Sequence, residues 1–115
     1  MHEVDGGKTI RIILRDCACG RLSNQAFVES IVQAFCSFLG MAQVGEPFTQ
    51  SIPPGLSSVL VIAESHIAFH TWPETYSVRV IIDACVDFDH DAAAEWLKAA
   101  YGAERYEYSL TWRLR

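Results

Sequence analysis

The sequence predicts a two-layer α/β (α+β) sandwich, a mainly antiparallel sheet with two helices on one face. Three observations predict it. Short apolar runs rich in β-branched residues lie at 9–15, 57–63 and 77–84. Two segments carry apolar residues at three- and four-residue steps. Residues 106–114 alternate apolar and polar with a period of two. At 115 residues there is room for one domain, 1–115.

Taken in order, Thr9 to Arg15 is the first strand, and Asp16 to Leu22 a loop turning at Gly20. Ser23 or Asn24 caps a helix whose apolar face is Phe27, Ile31, Ala34, Phe35 and Phe38, ended by Gly40. Met41 to Val44 reads as a short strand. Gly45 to Gly55, with Pro47, Pro53 and Pro54, reads as a loop. Ser57 to Ala63 is a strand apolar enough to be central. Ser65 to Phe69 continues extended until Pro73 breaks it. Ser77 to Ala84 is a further strand. Asp87 or Asp89 caps a second helix with Ala92, Ala93, Trp96, Leu97 and Ala100 on its apolar face and Gly102 at its end. The alternating run Tyr106, Tyr108, Leu110, Trp112, Leu114 closes the chain. Two helices cover one sheet face, yet the runs at 59–63 and 78–82 are apolar on both, so a partner subunit or a ligand is expected on the other.

Composition removes several classes of function. Half the residues are hydrophobic, which argues against disorder. The net charge of −5 and the lack of a basic cluster argue against nucleic acid. No apolar run approaches the roughly 20 residues that cross a bilayer. The N-terminus shows no signal-peptide core, so a cytoplasmic protein with reduced cysteines is expected. Cys17-Ala18-Cys19 lacks the two-residue spacer of redox or zinc knuckles.

The polar residues concentrate in Glu64-Ser65-His66-Ile67-Ala68-Phe69-His70-Thr71-Trp72-Pro73-Glu74, delivered between two apolar runs, with Cys85 ending the second. Polar groups beside a core need partners or a function. They could be satisfied groups at a strand end. A metal site on His66, His70 and Cys85 is disfavoured, because an extended chain puts the two histidines about 13 Å apart; no metal is expected. A Cys85–His70 nucleophile and base pair is open, but no Gly-x-Ser-x-Gly elbow surrounds Ser65.

The motif Glu64-Ser65-His66, followed by His70-Thr71-Trp72-Pro73-Glu74 and by Cys85 twenty positions after Ser65, resembles the processing site of the prokaryotic, pyruvoyl-dependent S-adenosylmethionine decarboxylase proenzymes. The resemblance runs from the first strand to Trp112. It implies self-cleavage between Glu64 and Ser65, with Ser65 becoming a covalently bound pyruvoyl group. The ketone of that group forms a Schiff base with a substrate amine and draws off electrons as carbon dioxide leaves. It further implies His70 as processing base, Ser57 as an assisting serine, Cys85 as proton donor and Glu74 as a contact to substrate hydroxyls. Trp72, in the same motif, joins Glu74 as a candidate substrate contact. The family forms homodimers with active sites near the subunit interface, and its products feed polyamine (spermidine) biosynthesis.

The sequence also departs from the family pattern. Thr9 stands in place of a histidine, Val86 in place of a glycine, and Ser51 where a phenylalanine stacks on adenine. Phe48 could take the stacking place if its loop bends. The expected function is decarboxylation of S-adenosylmethionine. The alternatives are arginine or ornithine decarboxylation, or an unprocessed, non-catalytic paralogue.

Overall fold

A computed structural model of the protein describes residues 4–18, 20–63 and 65–114; Cys19 and Glu64 lie outside the described residues. The elements are β1 (Val4–Arg15), α1 (Gln25–Phe38), β2 (Gln43–Ile52), β3 (Gly55–Ile62), β4 (Ser65–Trp72), β5 (Ser77–Ala84), α2 (His90–Tyr101) and β6 (Arg105–Leu114). The strands form one six-stranded sheet in the order β2-β3-β4-β5-β1-β6, with every neighbouring pair antiparallel.

Period-two alternation divides the sheet's residues between its faces. Ile10, Ile12 and Leu14 of β1, Leu60 and Ile62 of β3, Ile67 and Phe69 of β4, and Val78, Val80 and Ile82 of β5 are buried beneath the helices. α1 lies against β2, β3 and β4, and α2 against β1 and β6. Phe35 of α1 meets Phe69 edge-on, with ring centroids 5.9 Å apart, and packs against Trp96 of α2 at 5.4 Å. This aromatic contact joins the sheet and both helices in one core.

The helix ends follow capping chemistry. Asn24 accepts a hydrogen bond from the Phe27 amide, and Asp89 from the Ala92 amide. Gly40 and Gly102 take left-handed backbone just past the helices, where an L side chain is strained. The apolar faces differ from expectation. Of the expected α1 face, Phe35 is buried and Phe27 and Ile31 are half-buried, but Ala34 and Phe38 are exposed, and Val28, Val32 and Cys36 are buried beside Phe35. The buried face overlaps the expected one, and Phe38 falls outside it because it stacks on Trp96 at the rim rather than entering the core. In α2 the buried residues are Ala93, Ala94, Leu97 and Tyr101, while Ala92, Trp96 and Ala100 are half-buried.

The stretch expected as a short strand and a long loop is one strand, β2. Its Gly45 and Pro47 coincide with a register shift between Val44 and Phe48. β2 is an edge strand, so proline and a bulge cost no ladder bond on the outer side. Polar contacts fasten this edge: Thr49 bonds to Ser58 of β3 and donates to Glu29 of α1. The strand containing Ser65 runs to Trp72 and ends at Pro73, as expected.

Gly55 marks a close approach of backbones. A Cβ there would lie 2.3 Å from the Thr71 carbonyl oxygen. Thr71, itself buried, donates to the Leu22 carbonyl and accepts from the Leu56 amide, so the obstacle is fixed. Gly55→Ala is therefore expected to cost about 1–3 kcal/mol of unfolding free energy. Gly20→Ala, which meets nothing within 4 Å, serves as the neutral control in chemical denaturation.

Candidate active site

The sheet face turned away from the helices is built from the opposite parity of the same strands. The pairing registers arrange it in rows. One row runs Gln50, Ser57, His70, Arg79, Ile13, Glu107. The next runs Phe48, Val59, Ala68, Ile81, Arg11, Ser109. Another runs Val44, Val61, His66, Asp83, Thr9, Thr111. Apolar and polar residues thus share a face that no helix covers.

At one end of this face Ser57 and His70 meet across β3 and β4, with Ser57 Oγ 2.8 Å from His70 Nδ1. The Trp72 ring lies 6.2 Å from the imidazole. A cavity of about 290 Å³ opens beside them, lined by Ser57, His70, Trp72 and Glu74 and walled by the 52–56 turn. Four residues singled out in the sequence are therefore brought together.

Ser65 and Cys85 stand at the other end of the sheet, Ser65 in the row of Ile62, Ala84 and Lys8, whose side chains lie on the helix side. Ser65 is the first residue of β4 and pairs with Ile62. His66 pairs with Asp83, and continuing that register sets Ser65 level with Ala84, one residue before Cys85. Ser65 and His70 are five residues apart on one continuous strand, which is about 16 Å at 3.3 Å per residue. Within one chain the two ends of the site do not touch. His66 and His70, four apart on β4, do not converge either. Among the described residues no group of three or more His, Cys, Asp or Glu is placed to hold a metal ion. Phe48 is 70% exposed, one row away from His70, and does not line the cavity.

Arg79 is a site residue that sequence reasoning missed. It pairs with His70 in the ladder, and its guanidinium lies 5.0 Å from the centre of the Trp72 ring. Its signal in the sequence was a lone cation at an alternate position of an apolar strand, Ser77-Val78-Arg79-Val80. Burial lowers the pKa of His70 below its ordinary 6.5, and the Arg79 charge lowers it further. Both effects favour the neutral imidazole.

A family model for S-adenosylmethionine decarboxylase matches residues 9–114. The chain is similar to the S-adenosylmethionine decarboxylase proenzyme of Symbiobacterium thermophilum, with 33% identity over 103 residues covering 89% of this chain and 78% of that protein. It is 33% identical over 101 residues to the proenzyme of the same name from Pseudomonas paraeruginosa, covering 87% of this chain and 63% of that one. The adenosylmethionine decarboxylase of Aquifex aeolicus superposes with a TM-score of 0.81 at 19% identity, covering 93% of this chain and 89% of that one, a likeness of fold.

The folded chain's depressed His70 pKa has a stability consequence of definite sign. Between the folded value and 6.5 the unfolded chain binds more protons, so this contribution is complete above pH 6.5 and is lost as pH falls through that window. In Arg79→Gln the His70 midpoint, followed by NMR titration, is expected to rise but to stay below 6.5, because burial is the larger cause. An unchanged or lower midpoint contradicts the electrostatic coupling.

Proposed function

The chain belongs to the S-adenosylmethionine decarboxylase family, and from that premise we propose that it is a self-processing decarboxylase of S-adenosylmethionine whose active site is completed by a second copy of the chain. The observation that carries the proposal is the division of the site between the two ends of β4. A general base must come within about 3 Å of the proton it removes. His70 cannot do so for Ser65 of its own chain across about 16 Å of strand.

A second copy removes the difficulty. The uncovered face presents Val44, Phe48, Val59, Val61 and Ile81, three of them more than half exposed. Two such faces pack about 10 Å apart, within reach of side chains from both. A two-fold axis lying between them and crossing the strands sets the Ser57–His70 end of one sheet against the Ser65–Cys85 end of the other. Both sites then form at once, as an isologous interface requires.

The residues at the Ser65 end suit the pyruvoyl group that the family's chemistry needs. Ser65 opens β4 directly after the turn from β3. A break between 64 and 65 cuts only this hairpin connection. β3 stays held by β2 and β4, and β4 by β5, so a cleaved chain keeps its sheet. For the cleavage, Ser65 Oγ attacks the Glu64 carbonyl carbon and the peptide nitrogen leaves, giving an ester. His70 of the second copy removes the Ser65 Cα proton, and the Cβ–Oγ bond breaks to release the Glu64 carboxylate. The resulting enamine tautomerises, takes up one water and releases ammonia.

For this task Nε2 of His70 must carry the lone pair. The Nδ1 proton is then donated to Ser57 Oγ, which makes Ser57 the residue that sets the tautomer. When bound, the pyruvoyl ketone supplies the electron sink for carbon dioxide loss. Cys85, at the same end of the sheet as Ser65, supplies the proton that replaces the lost carboxylate. Glu74 and Trp72, in the cavity beside His70, receive the remainder of the substrate.

Carboxyl-labelled S-adenosylmethionine is expected to release labelled carbon dioxide, and denaturing mass measurement to show fragments of 64 and 51 residues. Ser65→Ala should stay whole and inactive. Release from labelled arginine or ornithine but not from S-adenosylmethionine contradicts the substrate. An intact chain, inert towards all three, points to a non-catalytic paralogue.

A further inference from the structure

Lys8 is the most deeply buried charged side chain among the described residues, 1% exposed on the helix side of β1. It pairs with Ala84 on one side and Trp112 on the other, in the row that the β4 register extends to Ser65. A buried ammonium is tolerated only when its donors are satisfied. It has three, and three acceptors meet them. Nζ donates to the Phe88 carbonyl, to Nδ1 of His90 at 2.9 Å and to Oδ1 of Asp87 at 2.9 Å. Because the ammonium cannot accept, His90 must present a lone pair at Nδ1. The Phe88 and Trp112 rings lie 4.3 and 5.0 Å from Nζ, which adds cation–π attraction to the cage.

All three acceptors belong to residues 87–90. This is the connection between Cys85, just past the end of β5, and the first turn of α2. Within the connection Val86 and Asp87 are largely exposed, while Phe88 packs against the core and Asp89 caps α2. Lys8 therefore fastens it to β1 two residues beyond Cys85. The bond from Lys8 also draws the Asp87 carboxyl below the ordinary carboxylate range.

We propose that Lys8 is a positioning residue for the decarboxylation step: its cage on Asp87, Phe88 and His90 fixes the segment that carries Cys85, and so the direction from which the thiol delivers its proton. This rests on the role given to Cys85 in the proposed function. A thiol that drifts by an ångström misses the substrate carbon without affecting the Ser65–Glu64 cleavage, which uses other groups.

The test compares the wild-type chain with Lys8→Met, which keeps the aliphatic stem and loses all three donors, and with Asp87→Ala, whose side chain is 62% exposed and whose loss leaves the core intact. Iodoacetamide labelling, read by mass, reports Cys85 against the buried core thiol Cys36. In both variants Cys85 labelling is expected to rise about fivefold relative to Cys36, the mark of local rather than global opening. Self-cleavage is expected to persist, and kcat to fall about tenfold with KM little changed, as for misplacement of a reacting group. An unchanged labelling ratio in the folded variants overturns the proposal. So does a parallel rise at both thiols, or selective exposure of Cys85 with kcat intact. The labelling arm needs no decarboxylase activity, so it still reads the clamp if the assigned reaction proves wrong.

Discussion

The antiparallel register of β4 between β3 and β5 is the constraint on which the rest of the molecule depends. It sets Ser57 beside His70 and Arg79 opposite it. It also sends Ile67, Phe69 and Thr71 into the core while His66, Ala68 and His70 face away. A slip of one residue would exchange these two sets, placing imidazoles under the helices and Phe69 in solvent. The burial of Phe69 against Phe35 and of Thr71 against Leu22 and Leu56 opposes any such slip. The core thus specifies the chemistry on the far face, although none of its residues touches that chemistry.

On the proposed reading, the same register leaves one chain incomplete. A strand cannot bring its first residue to its sixth, about 16 Å further along the chain. A divided site and an uncovered apolar face are consequently two expressions of one geometry. Association would bury Val59, Val61, Phe48 and Ile81, and the same contact would assemble the reacting groups. Processing and catalysis would then both depend on assembly.

Much of this was legible in the sequence, for identifiable reasons. The central strands are continuous β-branched runs, and the helices carry caps at Asn24 and Asp89 that behave as capping chemistry requires. β2 was hidden because Gly45 and Pro47 are read as breakers, and only the sheet order shows that an edge tolerates them. On α1, Phe38 was misplaced in the core because it is as apolar as Phe35, and the difference lies in which one meets Phe69. Within the site, the Ser57–His70 and Trp72–Glu74 groupings follow from short spacings along adjacent strands. The separation of Ser65 from His70 follows from arithmetic on an extended chain, but only once β4 is known to be unbroken. Arg79 and Lys8 carried no motif. Their roles come from cross-strand neighbours far away in the sequence, with Lys8 meeting residues about eighty positions on.

The shared site is tested most directly by co-expressing two differently tagged variants, Ser65→Ala and His70→Ala, each of which lacks one end of the site. Alone, neither chain should be cut efficiently. In mixed dimers, one of the two sites pairs the intact Ser65 of the His70→Ala chain with the intact His70 of the Ser65→Ala chain. Fragments should therefore appear from the His70→Ala chain only, once the two are together. If mixed dimers form and both chains remain whole, or if the His70→Ala chain cuts itself at full rate alone, the two ends are not completed across copies.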